Sequence, residues 1–153
     1  MALTTIDILL RLVIALLLGG LVGVERTLAG KTAGMRTYAL VAMGSALFVL
    51  ISQMVSNQLI VPQILVGIGF IGAGLVFHNN HDMRISGLTS AAGLWVAAGI
   101  GMACGFHLYV LALITALLTL LIFTVLWYVE KGFKKISYSD EKEEMENSER
   151  LHE

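Results

Sequence analysis

Charge is what this 153-residue chain has least of: 14% of it is Asp, Glu, Lys or Arg, whereas 57% is hydrophobic and the mean hydropathy is +0.82. A soluble domain of this length carries far more charge, so the bilayer is the natural solvent. Most of the charge lies in residues 130–153, which hold eight acids and five bases. Ahead of them stand only Asp7, Arg11, Glu25, Arg26, Lys31, Arg36, Asp82 and Arg84. The formal net charge of −1 therefore describes no real surface and gives no ground for nucleic-acid binding.

Other scarcities are equally informative. One cysteine, Cys104, excludes an intrachain disulfide and a thiolate metal cluster, and its apolar, small-residue surroundings mark it as a packing residue. One proline, Pro62, stands where the third apolar run begins, a position that tolerates its missing N–H. The N-terminus opens with Asp7 rather than a basic cluster, and its apolar run reaches Glu25 without a small-x-small cleavage site; it is expected to be a retained helix. No nucleophile–base pair, phosphate-cradling loop or zinc-protease motif appears, so neither an enzymatic activity nor a cofactor is expected.

What is present is a set of five apolar runs, Ile8–Val24, Thr37–Val55, Leu59–Phe77, Leu88–Cys104 and Leu108–Val129, of 17, 19, 19, 17 and 22 residues. As helices they span roughly 25–33 Å, enough to cross a bilayer with little tilt. The expected fold is all-α: a polytopic transmembrane bundle of five short helices over residues 1–130, followed by a charged tail over 131–153 that is solvated and weakly ordered. Five spans put the first and third connections on the side of the C-terminus. That side carries Arg26, Lys31, Arg36, Arg84, Lys131, Lys134 and Lys135, against Arg11 alone on the other. The bias places the C-terminus in the cytoplasm and the N-terminus outside, in a cell (inner) membrane. Arg11, four residues after Asp7, shares a helix face with it and can snorkel toward the outer interface as an anchor.

Helices in lipid gain little from hiding apolar surface, so small residues that let backbones approach become the packing device. Gly93, Ala97, Gly101 and Gly105 recur every four residues on the fourth run, Gly19 and Gly23 on the first, and Gly69 with Ala73 on the third, where Gly72 and Gly74 add further small positions. Packing within the chain is the simpler use of these stripes; a homo-oligomer stays open. The last run, rich in Leu, Ile and Val, suits a peripheral, lipid-facing place, with Trp127 and Tyr128 at its cytoplasmic interface.

From Thr37 to Phe77 and from Ile85 to Val129 there is no carboxylate, lysine or arginine. Pumps and coupled transporters commonly hold ionisable groups inside the membrane, and this chain offers a cation only hydroxyls, carbonyls and marginal amides. The most ligand-like cluster is His78, His81 and Asp82. Its single carboxylate is poor for magnesium, and it lacks a third strong ligand for zinc; a polar turn is the plainer reading. The first cytoplasmic connection is richer: Glu25, Arg26, Lys31, Arg36 and Thr37 stand at facing helix ends, where Glu25 can pair with Arg36 across the hairpin.

Three blocks carry a family resemblance. They are Gly19-Gly20-Leu21-Val22-Gly23-Val24-Glu25-Arg26 with Gly30-Lys31-Thr32-Ala33-Gly34-Met35-Arg36-Thr37, then Val66-Gly67-Ile68-Gly69-Phe70-Ile71-Gly72-Ala73-Gly74, then Ser86-Gly87-Leu88-Thr89-Ser90-Ala91-Ala92-Gly93-Leu94-Trp95-Val96. In this order, from Leu10 to about Glu130, the chain resembles the MgtC/SapB family of bacterial inner-membrane proteins. The resemblance implies a non-enzymatic protein tied to growth when magnesium is scarce, one that modulates other membrane proteins, the rotary ATP synthase among them. It also points to Thr89 beside the hairpin residues as a functional candidate. Long-form members add a soluble ACT-like domain; with two dozen polar residues after the last run, the chain is expected to be a short form without it. The alternative function is a magnesium or other cation transporter or channel.

Overall fold

The computed structural model describes residues 4–77 and 87–129. Among them are five helices and no strand: α1 (Thr5–Leu28), α2 (Met35–Met54), α3 (Ile60–Phe77), α4 (Leu88–Gly105) and α5 (Tyr109–Leu121), with a turn of π-helix over Ile122–Leu126. Thr5–Leu28, Met35–Met54, Leu88–Gly105 and Tyr109–Val129 are long and apolar enough to cross a membrane, and Ile60–Val76 is apolar but shorter. The tail expected over 131–153 lies outside the described residues.

The helix ends explain where the apolar runs and the helices part company. The Thr4 hydroxyl caps α1 by accepting from the Asp7 N–H at 3.2 Å, and Asp7 lies in the first turn, where a carboxylate complements the helix dipole. The helix then continues through Glu25 and Arg26, so it is longer than its apolar run at both ends. It stops at Gly30 (φ +65°), whose N–H donates to the Thr27 carbonyl while Lys31 N–H reaches back to Arg26, a Schellman closure. The same device ends α2 at Ser56 (φ 52°) and α4 at His107 (φ 67°), with side chains in the left-handed region that usually goes to glycine.

The chain divides into two compact units, Met1–Leu120 and Leu121–Glu153. In the first, α2 and α4 form the middle: α1 packs on both, and α3 lies chiefly against α4. α1 and α2 are antiparallel, since Gly19 faces Tyr38 and Ala42 while Gly23 faces Met35. α4 runs alongside α2 in the same sense, with Ser90 near Tyr38 and Gly105 near Val49. α3 must therefore return from the end of α2 to the start of α4, and Gly87 (φ +87°) lies against the Leu75 carbonyl there. Hence α3, though short, traverses the whole height of this bundle. The outer faces of α5 are exposed along its length, the peripheral place its bulky composition suits. Thr115 and Thr119 donate to the carbonyls of Leu111 and Thr115 at 2.8 and 2.7 Å, so neither hydroxyl is left unsatisfied. In the second unit the described residues are 121–129, where the Trp127 and Tyr128 rings meet edge to face at 4.9 Å.

Backbones, not side chains, set the spacing of the middle. A Cβ built on Gly101 would come within 2.8 Å of the Ala42 Cα; one on Gly19 would lie 2.7 Å from the Tyr38 carbonyl oxygen; one on Gly105 would lie 2.6 Å from the Val49 Cβ. Gly93 and Ala97 are buried on the same helix. On α3, Gly72 approaches Ala91 with room for a Cβ at 3.5 Å, but a Cβ on Gly69 or Gly74 would meet nothing within 4 Å. The reason is register: α3 buries Ile64, Ile68 and Gly72, spaced by four, and Gly69 and Gly74 fall off that face. Gly101→Ala should therefore cost about 1–3 kcal/mol in detergent, because the Ala42 backbone has to move. Gly69→Ala should be neutral or gain up to about 1 kcal/mol from helix propensity. Equal melting behaviour of the two variants would show that the close approach at Ala42 carries no energy.

Candidate functional site

Ionisable side chains among the described residues gather at the two ends of the bundle. At the end where α1 finishes and α2, α4 begin, Arg26 is only 4% exposed and its guanidinium contacts the carboxylate of its neighbour Glu25. Tyr38, fully buried, lies within electrostatic reach of both and donates from its hydroxyl to the Ser90 carbonyl at 3.2 Å, tying α2 to the first turn of α4. Thr27 closes the hairpin beneath them. Its hydroxyl donates to the Gly23 carbonyl at 3.2 Å and accepts from the Met35 N–H at 2.8 Å, and Gly34 lies so close that no side chain fits. The hairpin thus carries the half-buried Glu25 beside the buried Arg26, closed by the two hydrogen bonds of Thr27.

The residues singled out in the sequence separate here. Glu25 and Arg26 are brought together. Lys31, Arg36 and Thr89 are exposed, and Thr37 is half-buried. Glu25 does not reach Arg36 across the hairpin: Met35 and Tyr38 are the α2 residues turned to Gly23, and Arg36, about 100° further round the helix, points away. Tyr38, Ser90 and Thr27 were missed. The legible signal was Tyr38, a large aromatic among small residues, set opposite the glycines of α1. His78, His81 and Asp82 lie outside the described residues, and among the described ones no group of three metal-ligating side chains occurs.

The opposite end holds a second polar cluster. Arg11 is 9% exposed, more deeply enclosed than a snorkelling anchor. Its guanidinium donates to the Gly105 carbonyl at 2.7 Å, to Asp7 at 2.8 Å and to the Gln53 amide oxygen at 3.4 Å. The other Asp7 oxygen lies 3.7 Å from His107 Nδ1, and the enclosed Tyr109 hydroxyl is nearby. One side chain from α1 thereby ties down the ends of α2 and α4. Between the two clusters stands the tight contact of α1, α2 and α4 around Ala42.

Apolar helices long enough to cross a bilayer, with charge confined to their ends, define a multi-pass helical membrane protein. The chain belongs to the MgtC family, which matches residues 12–131. It is 38% identical over 133 residues to the Escherichia coli K12 protein named "Putative magnesium transporter YhiD", covering 79% of this chain and 61% of that one. It is 39% identical to protein SrpB of Synechococcus elongatus, covering 82% and 74% of the two chains. With protein MgtC of Salmonella typhimurium it shares 44% identity, over 73% of this chain and 49% of the other. The chain thus spans about three-fifths of YhiD and half of that MgtC. No solved structure matches it.

Removing Arg11 should test the second cluster. Arg11→Met leaves the Gly105 carbonyl without its side-chain donor and Asp7 with only the longer contact to His107, and is expected to cost about 3–5 kcal/mol, whereas Lys31→Met, on an exposed side chain, should change little. Equal unfolding midpoints for the two variants would refute a structural role for Arg11.

Proposed function

We propose that this protein is a non-enzymatic regulator in the cell membrane that acts by binding another membrane protein when magnesium is limiting. The observation that carries this reading is the separation of the two charged clusters by the contact around Ala42. Gly19 and Gly101 press on that residue from two sides, leaving no room even for a methyl group, and among the described residues no Asp, Glu, Lys, Arg or His lies between the clusters. A strongly hydrated divalent ion would find neither a charged ligand nor a gap along this line. The surface on offer is instead the hairpin, with exposed Lys31 and Arg36 and half-buried Glu25 over the enclosed Arg26. The rotary ATP synthase is the partner class that the family resemblance supplies. The contrasting reading, a carrier or oligomeric channel for magnesium, draws on the name that YhiD carries.

This reading puts the hairpin in the cytoplasm, on the strength of seven basic residues against one near the helix ends. The full height traversed by α3 supports the odd number of crossings it requires. Reporter fusions should then signal inside at Lys31 and Lys142, and outside at Asn57 and His107. An outside signal at Lys31 would reverse the assignment.

Reconstituted liposomes with a trapped magnesium indicator separate the two functions. The regulator reading expects flux no greater than in empty liposomes, together with impaired low-magnesium growth for Glu25→Gln and Arg36→Gln variants that still insert at wild-type levels. Saturable magnesium influx would replace it with the transporter reading.

A further inference from the structure

Close packing joins α1, α2 and α4 to one another and α3 to α4, but α5 takes part in none of these pairs. It carries no glycine, the residue through which α1 and α4 bring their backbones onto Ala42, and in lipid such approach supplies much of the cohesion. Its enclosed face is the stripe of Ala112, Ala116 and Thr119. The hydroxyls of Thr115 and Thr119 are bonded to carbonyls of the same helix, which leaves Tyr109, at its start, to bond another element. The Tyr109 hydroxyl is enclosed, has no hydrogen-bond partner among the described residues, and lies close enough to Arg11 to feel the guanidinium charge. Arg11 has the matching gap. Its two terminal nitrogens donate to Asp7, Gln53 and the Gly105 carbonyl, while its Nε–H is enclosed without an acceptor among the described residues.

We propose that Arg11 latches α5 to the bundle, its Nε–H donating to the Tyr109 hydroxyl, and that opening this latch lets α5 swing about the α4–α5 turn while α1–α4 hold together. An enclosed donor without an acceptor and an enclosed hydroxyl without a partner each carry a desolvation cost, and pairing them removes both. The donor is charged, which makes this the stronger kind of hydrogen bond. Position makes the bond a latch. The turn after Gly105, with His107 in the left-handed region (φ 67°), holds α5 at one point, and a single point leaves a helix free to pivot. Tyr109 supplies the second point, flanked by the His107 ring at 4.7 Å. From there the 13 residues of α5 run for roughly 20 Å outside any of the close helix pairs. The cohesion of α1, α2 and α4 rests elsewhere, in the glycine contacts around Ala42 and the bond from Tyr38 to Ser90. The inference stands apart from the regulator reading and from the direction of the helices in the membrane.

Distances between spin labels on the full chain in lipid nanodiscs, with Cys104→Ala as background, test it. Labels at Leu40 and Leu118, both exposed, read the place of α5, and labels at Ile6 and Leu40 read the α1–α2 pair. The protein with Tyr109 intact should give one narrow distance for each pair of labels. Tyr109→Phe removes a single oxygen. It should raise the fraction of molecules at a second, longer α5 distance roughly tenfold, as loss of a hydrogen bond to a charged group implies, and leave the distance from Ile6 to Leu40 unchanged. Thr115→Val, which removes a hydroxyl bonded inside α5, should move neither distance. Should Tyr109→Phe not insert, the wild-type protein decides alone: in solid-state NMR the Arg11 Nε signal should correlate with the Tyr109 ring. An absent correlation, an α5 distance that Tyr109→Phe leaves unchanged, or a distance from Ile6 to Leu40 that broadens along with it would each overturn the inference, the last by showing that α5 and the bundle open as one.

Discussion

Everything in this bundle hangs on how closely three backbones meet at Ala42. In water, helices are driven together by the apolar surface they hide; in lipid that drive is nearly absent, and what remains is dispersion between atoms close enough to profit from it. Gly19 from α1 and Gly101 from α4 bring their main chains onto α2 at this residue. The polar clusters at the two ends are consequences of the same contact. Only because the helices are this near does the Arg11 guanidinium reach the α4 carbonyl at Gly105, and only so does the Tyr38 hydroxyl reach Ser90.

The two ends differ in chemical character. At one, Arg11 spends its donors on main-chain and side-chain acceptors of the bundle itself, so its charge serves cohesion. At the other, Arg26 is enclosed next to Glu25, while Lys31 and Arg36 are exposed. Among the described residues, one end thus exposes basic side chains and the other spends its basic side chain inward. α5, exposed along its outer faces and with Thr115 and Thr119 bonded back to its own carbonyls, contributes bulk at the periphery.

Much of the architecture was legible because hydropathy and glycine spacing are one-dimensional signals of three-dimensional constraints. Five apolar runs became five helices. The ends were read short on α1, since hydropathy stops at a charge whereas a helix runs on to its cap, here Gly30. Register was harder. The fourfold spacing of Gly101 and Gly105 and the pair Gly69 and Ala73 look alike in sequence, yet only the former meets a neighbouring backbone, because the face an α3 residue presents depends on where α4 lies. The pairing of Glu25 failed for a similar reason: a rotation of one residue on α2 decides whether position 36 looks inward. The enclosure of Arg11 was out of reach, since its main partner is 94 residues away in sequence.

That separation has a temporal side. During synthesis α1 leaves the ribosome long before α4 exists, and the guanidinium of Arg11 enters the membrane with its eventual carbonyl partner still untranslated. Asp7, one turn away on the same helix, is the counter-ion available from the first moment, at a separation of 2.8 Å in the finished protein. Of the three acceptors that the Arg11 guanidinium reaches, Asp7 is thus the one that lies within its own helix.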